Sequence, residues 1–149
     1  MSILLATQGI HDWIIEHRRS LHRIPELAYR EERTSAYLRT VLEGLGIEVT
    51  GGLGGGTGLV GNLGPAVGRR VALRADMDAL PITEDTGLDF ASETPGAMHA
   101  CGHDSHMAML LGAARVLKER EAELPGPVRL IFQPAEEGGA GAKRMLDEG

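Results

Sequence analysis

Asp104 to Gln133 reads DSHMAMLLGAARVLKEREAELPGPVRLIFQ. Two periodicities follow one another in it. Met107, Leu110, Leu111, Ala114 and Leu117 recur at helical spacing, and Asp104 stands where an N-cap belongs, so a helix is predicted to about Arg120. Pro125 and Gly126 then break the chain. Pro127 to Gln133 supplies Val128, Leu130, Ile131 and Phe132, a short apolar run that suits a buried strand. A helix feeding a buried strand is the building unit of a sheet covered by helices.

Working outward, Arg70 to Ala75 and Thr57 to Leu63 read as further strands, and Ile47 to Thr50 as a short one. A helix is predicted over Gly9 to Leu21, where Ile10, Trp13, Ile14 and Leu21 share a face, with Pro25 at or just beyond its end. Another fits Glu31 to Leu45, with Leu38, Val41, Leu42 and Leu45 on one side and Gly44 and Gly46 as its stop. Ala140 to Asp147 begins one more. Gly51 to Gly56 is glycine-rich, but no Gly-Lys-Ser/Thr follows, so it reads as a turn and not as a phosphate cradle. Asp76 to Met98 is a long loop with Pro81 and Pro95, and ordered loops of that length usually serve a site. The expected fold is α/β, a three-layer mixed sheet with helices on both faces and ligands beyond the carboxyl ends of its strands.

A length of 149 residues suits one domain, or the larger part of one. Aromatics make up 3% of the chain, so the core falls to Leu, Val, Ile, Met and Ala. The formal charge of -6 argues against a nucleic-acid partner, which calls for a basic surface. A single cysteine, Cys101, allows no internal disulfide. No apolar stretch is long enough to span a membrane, and Met1 to Ala6 carries no basic leader, so a cytoplasmic location is expected.

Three clusters carry chemistry. His99-Ala100-Cys101-Gly102-His103-Asp104-Ser105-His106 mixes thiolate and imidazole two residues apart, with Gly102 to turn both toward one centre; that spacing favours a metal site. The positive end of the helix starting at Asp104 is expected to lower the Cys101 pKa. Gln133-Pro134-Ala135-Glu136-Glu137 places two carboxylates at a strand end, where one can ligate an ion and the other act as general base toward a water. A solvated acidic turn would look the same. Arg74 to Pro81 brings Asp76 and Asp78, which could ligate, orient ligating histidines, or simply form a turn.

Together these segments resemble the M20 metallopeptidase family in its amidohydrolase branch of hippurate hydrolases, N-acyl-amino-acid amidohydrolases and auxin-conjugate hydrolases. The resemblance rests on Leu21-His22-Arg23-Ile24-Pro25-Glu26-Leu27, Thr57 to Gly61, Arg74 to Pro81, Met98 to Asp104, Leu110 to Ala114 and Gln133 to Glu137, in family order along nearly the whole chain. It implies a zinc-peptidase-like fold and two divalent metal ions (Zn, Mn, Co or Ni). Cys101 would bridge the ions, with His103 and Glu137 as further ligands and Glu136 as the catalytic base. Asp78 resembles an aspartate that follows a ligating histidine by two residues in sister branches. That histidine position is Asp76 here, so His103 is expected to take over its role with Asp78 or Asp76 as its partner. Asp104 is expected to support the ligands without touching the metal, and His99 and His106, to which the resemblance assigns no ligand role, to serve packing or to contact groups behind the ligands. The implied substrate is a small N-acyl amino acid, and the implied full-length assembly a homo-oligomer.

Family members are longer. The resemblance therefore also implies that residues 1–149 are the N-terminal part of a catalytic domain, lacking a lid or dimerisation domain, the domain's C-terminal part and at least two ligand histidines. One alternative is a fragment that catalyses nothing alone. Another is a cysteine hydrolase with Cys101 as nucleophile, which His103 serves poorly because it lies too close in sequence to act as base.

Overall fold

The computed structural model describes residues 3–149, so Met1 and Ser2 of the expected leaderless start lie outside the described residues. The elements run α1 (Ile3–Gln8), α2 (His11–Arg23), α3 (Glu32–Gly44), β1 (Glu48–Leu53), β2 (Gly58–Leu63), β3 (Val71–Asp76), α4 (His103–Glu119), β4 (Val128–Gln133) and α5 (Gly141–Asp147), with one 3-10 turn at Glu121–Glu123. The four strands form a single mixed sheet in the order β1-β2-β4-β3. β1 and β2 are antiparallel, as are β2 and β4, while β3 and β4 run parallel with Val71 opposite Val128 and Asp76 opposite Gln133. β3, α4 and β4 thus make a βαβ unit, the connection that parallel neighbours require.

Alternation along the strands decides which face is closed. Leu59 and Leu63 of β2 and Val128, Leu130 and Phe132 of β4 point one way and join Leu21, Leu38, Leu42, Met107, Leu111 and Ala114 in the main core. Helices α3 and α4 lie on this face, and α2 packs on α4. Gly112 makes that packing close: a Cβ there would sit 2.7 Å from Ile14 Cδ1. The opposite face is different. Val60, Asn62, Arg129 and Ile131 line a hollow bounded by Met145 and Leu146 of α5, and Leu146 is 81% exposed. Helices stand on both faces, but four are on one and the short α5 on the other.

Two local expectations change. β1 continues through Gly51 and Gly52 to Leu53, because its ladder to β2 outweighs the turn preference of glycine. Helix α4 is capped by Gly102 at φ 87°, with no side-chain cap. Asp104 therefore lies inside the first turn, not at the N-cap. The loop after β3 is long, as expected, but it is tied: Leu80 and Met98 exchange both backbone hydrogen bonds at 3.0 and 3.1 Å. Among the described residues, no helix is long and apolar enough to cross a membrane.

Candidate metal centre

The carboxyl ends of the parallel pair β3 and β4 and the N-terminus of α4 meet at one place. β3 delivers Asp76 and, just beyond it, Asp78. The turn after β4 delivers Glu136 and Glu137. Gly102, with its left-handed backbone, delivers Cys101 and His103 on either side of a sharp bend, a conformation that costs glycine nothing. Cys101, His103 and Glu137 each offer a donor atom, and these atoms lie within 4.8 Å of one another. His103 Nε2 is 4.0 Å from Glu137 Oε1 and 3.8 Å from Glu136 Oε2.

This set fits a divalent ion. A tetrahedral site with bonds of roughly 2.0–2.3 Å spaces its donors roughly 3.3–3.8 Å apart, so a small closure of side chains suffices. Thiolate, imidazole and carboxylate together suit the borderline cations.

His103 is held from behind. Its Nδ1–H donates to the Asp78 backbone carbonyl at 2.7 Å and lies 3.3 Å from Asp78 Oδ1, which makes no hydrogen bond of its own. Fixing Nδ1 in this way leaves Nε2 for a ligand role. The Asp78 carboxylate, against the opposing cost of burial, holds the metal-free imidazolium up to about 9. Burial disfavours the charge on Asp78 itself. His103 and the backbone N–H of Glu137, at 2.9 Å from Oδ2, outweigh it, and the carboxyl sits below its usual range.

The expected lowering of the Cys101 thiol does not occur. Glu137 accepts its hydrogen bond, and Glu137, Glu136 and Asp78 all face it with negative charge, so the thiol is raised. A helix end carries about half a charge. Several carboxylates outweigh it until a cation arrives and reverses the balance.

Of the two aspartates, Asp78 adjoins His103. Asp76 instead accepts from Arg74 Nε and Nη2 on Oδ1, at 2.9 and 2.6 Å, and turns Oδ2 toward His106 Nδ1 at 3.8 Å. Asp104 does not reach the donor set. Its Oδ2 lies 2.7 Å from His22 Nδ1 and 2.8 Å from Arg18 Nε. His99 is packed as expected, but neither ring nitrogen has a hydrogen-bond partner among the described residues, and burial lowers its pKa to about 4. His106 is not packed; its side chain is 46% exposed.

Two supports escape the sequence reading. Buried Glu31 accepts the Ala135 N–H at 2.9 Å and the Thr57 hydroxyl at 2.7 Å. It thereby holds Ala135, whose φ of 52° is uncommon for a residue with a side chain, directly before Glu136. His22 bridges Asp104 and Glu84, pinning the long loop to α4. Glu31 sits in a run of charged residues that looks like an ordinary helix start, and nothing local marks it.

Residues 72–149 match the family model of peptidase family M20/M25/M40, more than half of the chain. The chain belongs to this family. It is 52% identical over 143 residues to thermostable carboxypeptidase 1 of Saccharolobus solfataricus, covering 94% of this chain and 36% of that protein. It is 49% identical over 146 residues to IAA-amino acid hydrolase ILR1-like 5 of Arabidopsis thaliana, covering 98% and 33%. Among solved structures it superposes on the YXEP protein of Bacillus subtilis, described as a dinuclear metal binding peptidase from the M20 family. That match has a TM-score of 0.88 and 47% identity, covering 94% of this chain and 40% of that one. The chain thus spans about a third of the length of these curated relatives.

Proposed function

We propose that this M20 chain supplies the thiolate, imidazole and paired carboxylates of a binuclear amidohydrolase site that cleaves N-acyl amino acids. The convergence of Cys101, His103 and Glu137, with Glu136 at its rim, carries the reading. The two relatives differ in name, but both names describe cutting an amide bond to an amino acid. Cys101, His103 and Glu137 would hold the ions, for which Zn, Mn, Co and Ni all suit a thiolate, imidazole and carboxylate set. Bound there, the ions supply an acidified water and stabilise negative charge on the carbonyl oxygen.

The chain's own residues do the rest. Asp78 fixes the His103 ring so that Nε2 faces the site. Glu136 keeps a carboxylate free at the rim, its side chain 41% exposed, where it can take a proton from the attacking water and pass it to the departing amine. Glu31 holds the preceding turn and with it the aim of Glu136.

The test is Glu136→Gln in the protein that carries this sequence, assayed by release of free amino acid from hippurate with Mn or Zn present. Turnover should fall by about 100- to 10,000-fold with metal content unchanged. Loss of metal with activity retained would reverse the two glutamates. Hydrolysis indifferent to chelators would favour Cys101 as nucleophile. A second reading is that residues 1–149 alone hydrolyse nothing. It is supported by the three donors that converge there, too few for two ions that each take about four.

A further inference from the structure

His106 and Asp76 have no part in the reading above, yet they face each other across the site's outer flank. His103 and His106 are three residues apart on α4, which places them on one face of the helix, and their rings lie 5.4 Å apart between centroids with planes inclined by 34°. Asp76, at the end of β3, turns Oδ2 toward this pair. Donor atoms of Asp76, His103 and His106 all lie within 4.8 Å of one another. Arg74 occupies the other Asp76 oxygen through two hydrogen bonds, which fixes the carboxylate plane and leaves Oδ2 for a cation.

We propose that Asp76, His103 and His106 form a second seat for a divalent cation, an alternative to the seat at Cys101. The donor set is two imidazoles and one carboxylate, a combination that holds zinc with a position left open. It has no thiolate, so it favours cations that take nitrogen and oxygen ligands.

The two seats exclude one another at His103. Its Nδ1 is committed to the Asp78 carbonyl, so only Nε2 can ligate, and one nitrogen lone pair serves one ion. A cation held by Cys101 and Glu137 through His103 therefore leaves Asp76 and His106 with two donors. A cation held by Asp76 and His106 leaves Cys101 and Glu137 without their imidazole. His106 is half-exposed and borders an open concavity with Leu73, Arg74 and Met109, so the outer seat can be reached from the surface.

The experiment uses Zn2+ alone as the probe. Cys101→Ser with Glu137→Gln removes the inner seat's thiolate and carboxylate and leaves the outer seat whole. This variant should bind one Zn2+ per chain by calorimetry. The nitrogen resonances of both the His103 and His106 rings should move during the titration. Adding His106→Ala, or Asp76→Asn, should weaken binding by at least about tenfold, the lower end of what losing even a ligand's supporting partner costs. If the double variant unfolds, the native chain with its exposed thiol alkylated takes its place. Zinc affinity indifferent to both His106→Ala and Asp76→Asn overturns the proposal. So does an absence of binding by a folded variant lacking the inner seat. Either result leaves the hydrolytic reading intact, since that reading uses neither Asp76 nor His106.

Discussion

The back and front of the centre are built differently. Behind it, Asp78 is 1% and His103 2% exposed, and each is fixed by hydrogen bonds to backbone. In front, Glu136 and Glu137 side chains are 41% and 27% exposed, and Cys101 is exposed. The imidazole is therefore set in place by folding. The two carboxylates and the thiol whose ionisation they oppose form a rim that a cation would organise. The back half ties the site to the stability of the fold, whereas the front half, on the proposed reading, would answer mainly to metal.

That contrast fails first if Asp78 proves dispensable. Asp78→Ala strips His103 of its carboxylate and the Glu137 N–H of its acceptor. It should cost about 3 kcal/mol or more of unfolding free energy, as breaking a buried charged pair does, and should lower metal content as well. Urea unfolding of the metal-free protein measures the first effect. A loss below about 0.5 kcal/mol, the usual range for a surface change, would erase the difference between back and front.

The next test is pH. His99 is buried neutral, its pKa lowered from 6.5 to about 4 by burial, so the unfolded chain binds the extra proton first. Its contribution is present above pH 6.5 and is lost as pH falls through 4, an effect on the order of 3 kcal/mol. His103 has the opposite sign. Raised to about 9, it contributes fully below pH 6.5 and loses that contribution as pH rises through 9. Metal-free protein should be most stable near neutrality and weaker on both flanks. NMR titration of the two rings should give midpoints well apart, one acidic and one alkaline. Two rings titrating together near 6.5 would count against the buried back half.

The front half predicts smaller changes in stability. Cys101→Ser should alter the metal-free unfolding free energy by no more than about 0.5 kcal/mol, since an exposed side chain leaves no cavity. Metal occupancy by elemental analysis should nevertheless drop, a hydroxyl being a poorer bridge than a thiolate. The smallest effect belongs to Glu137→Gln in the metal-free protein. Removing the charge that holds the thiol up should speed Cys101 alkylation at a fixed, mildly alkaline pH. An unchanged rate would mean that Glu137 does not set the thiol's ionisation.

Much of this was legible in the sequence because it is local. The stretch from Asp104 to Gln133 predicts its helix and strand to within two residues of α4 (His103–Glu119) and β4 (Val128–Gln133), since core-facing Met107, Leu111, Leu130 and Phe132 enforce the period. Cys101, Gly102 and His103 announce a turn with two donors for the same reason. What was hidden depends on distant partners. Glu31 reads as one charge among several until the sheet brings it to Ala135, and the choice between Asp76 and Asp78 depends on where Arg74 points. The ionisation of Cys101 was misjudged because the helix end is visible in sequence, while the crowding of three carboxylates around the thiol exists only in three dimensions.

The Glu31–Ala135 bond has a kinetic side. It joins residues 104 apart, and the His22–Asp104 contact joins residues 82 apart. Closing such long loops is slow, because chain entropy is lost before any contact compensates for it. An ion meeting the unfolded chain finds Cys101 and His103 as near neighbours but no Asp78 to orient the ring and no Glu137 to complete the grip. High-affinity binding should thus appear late in refolding, after β4 has joined β2 and β3, and the moment of metal capture would serve as a clock for sheet closure.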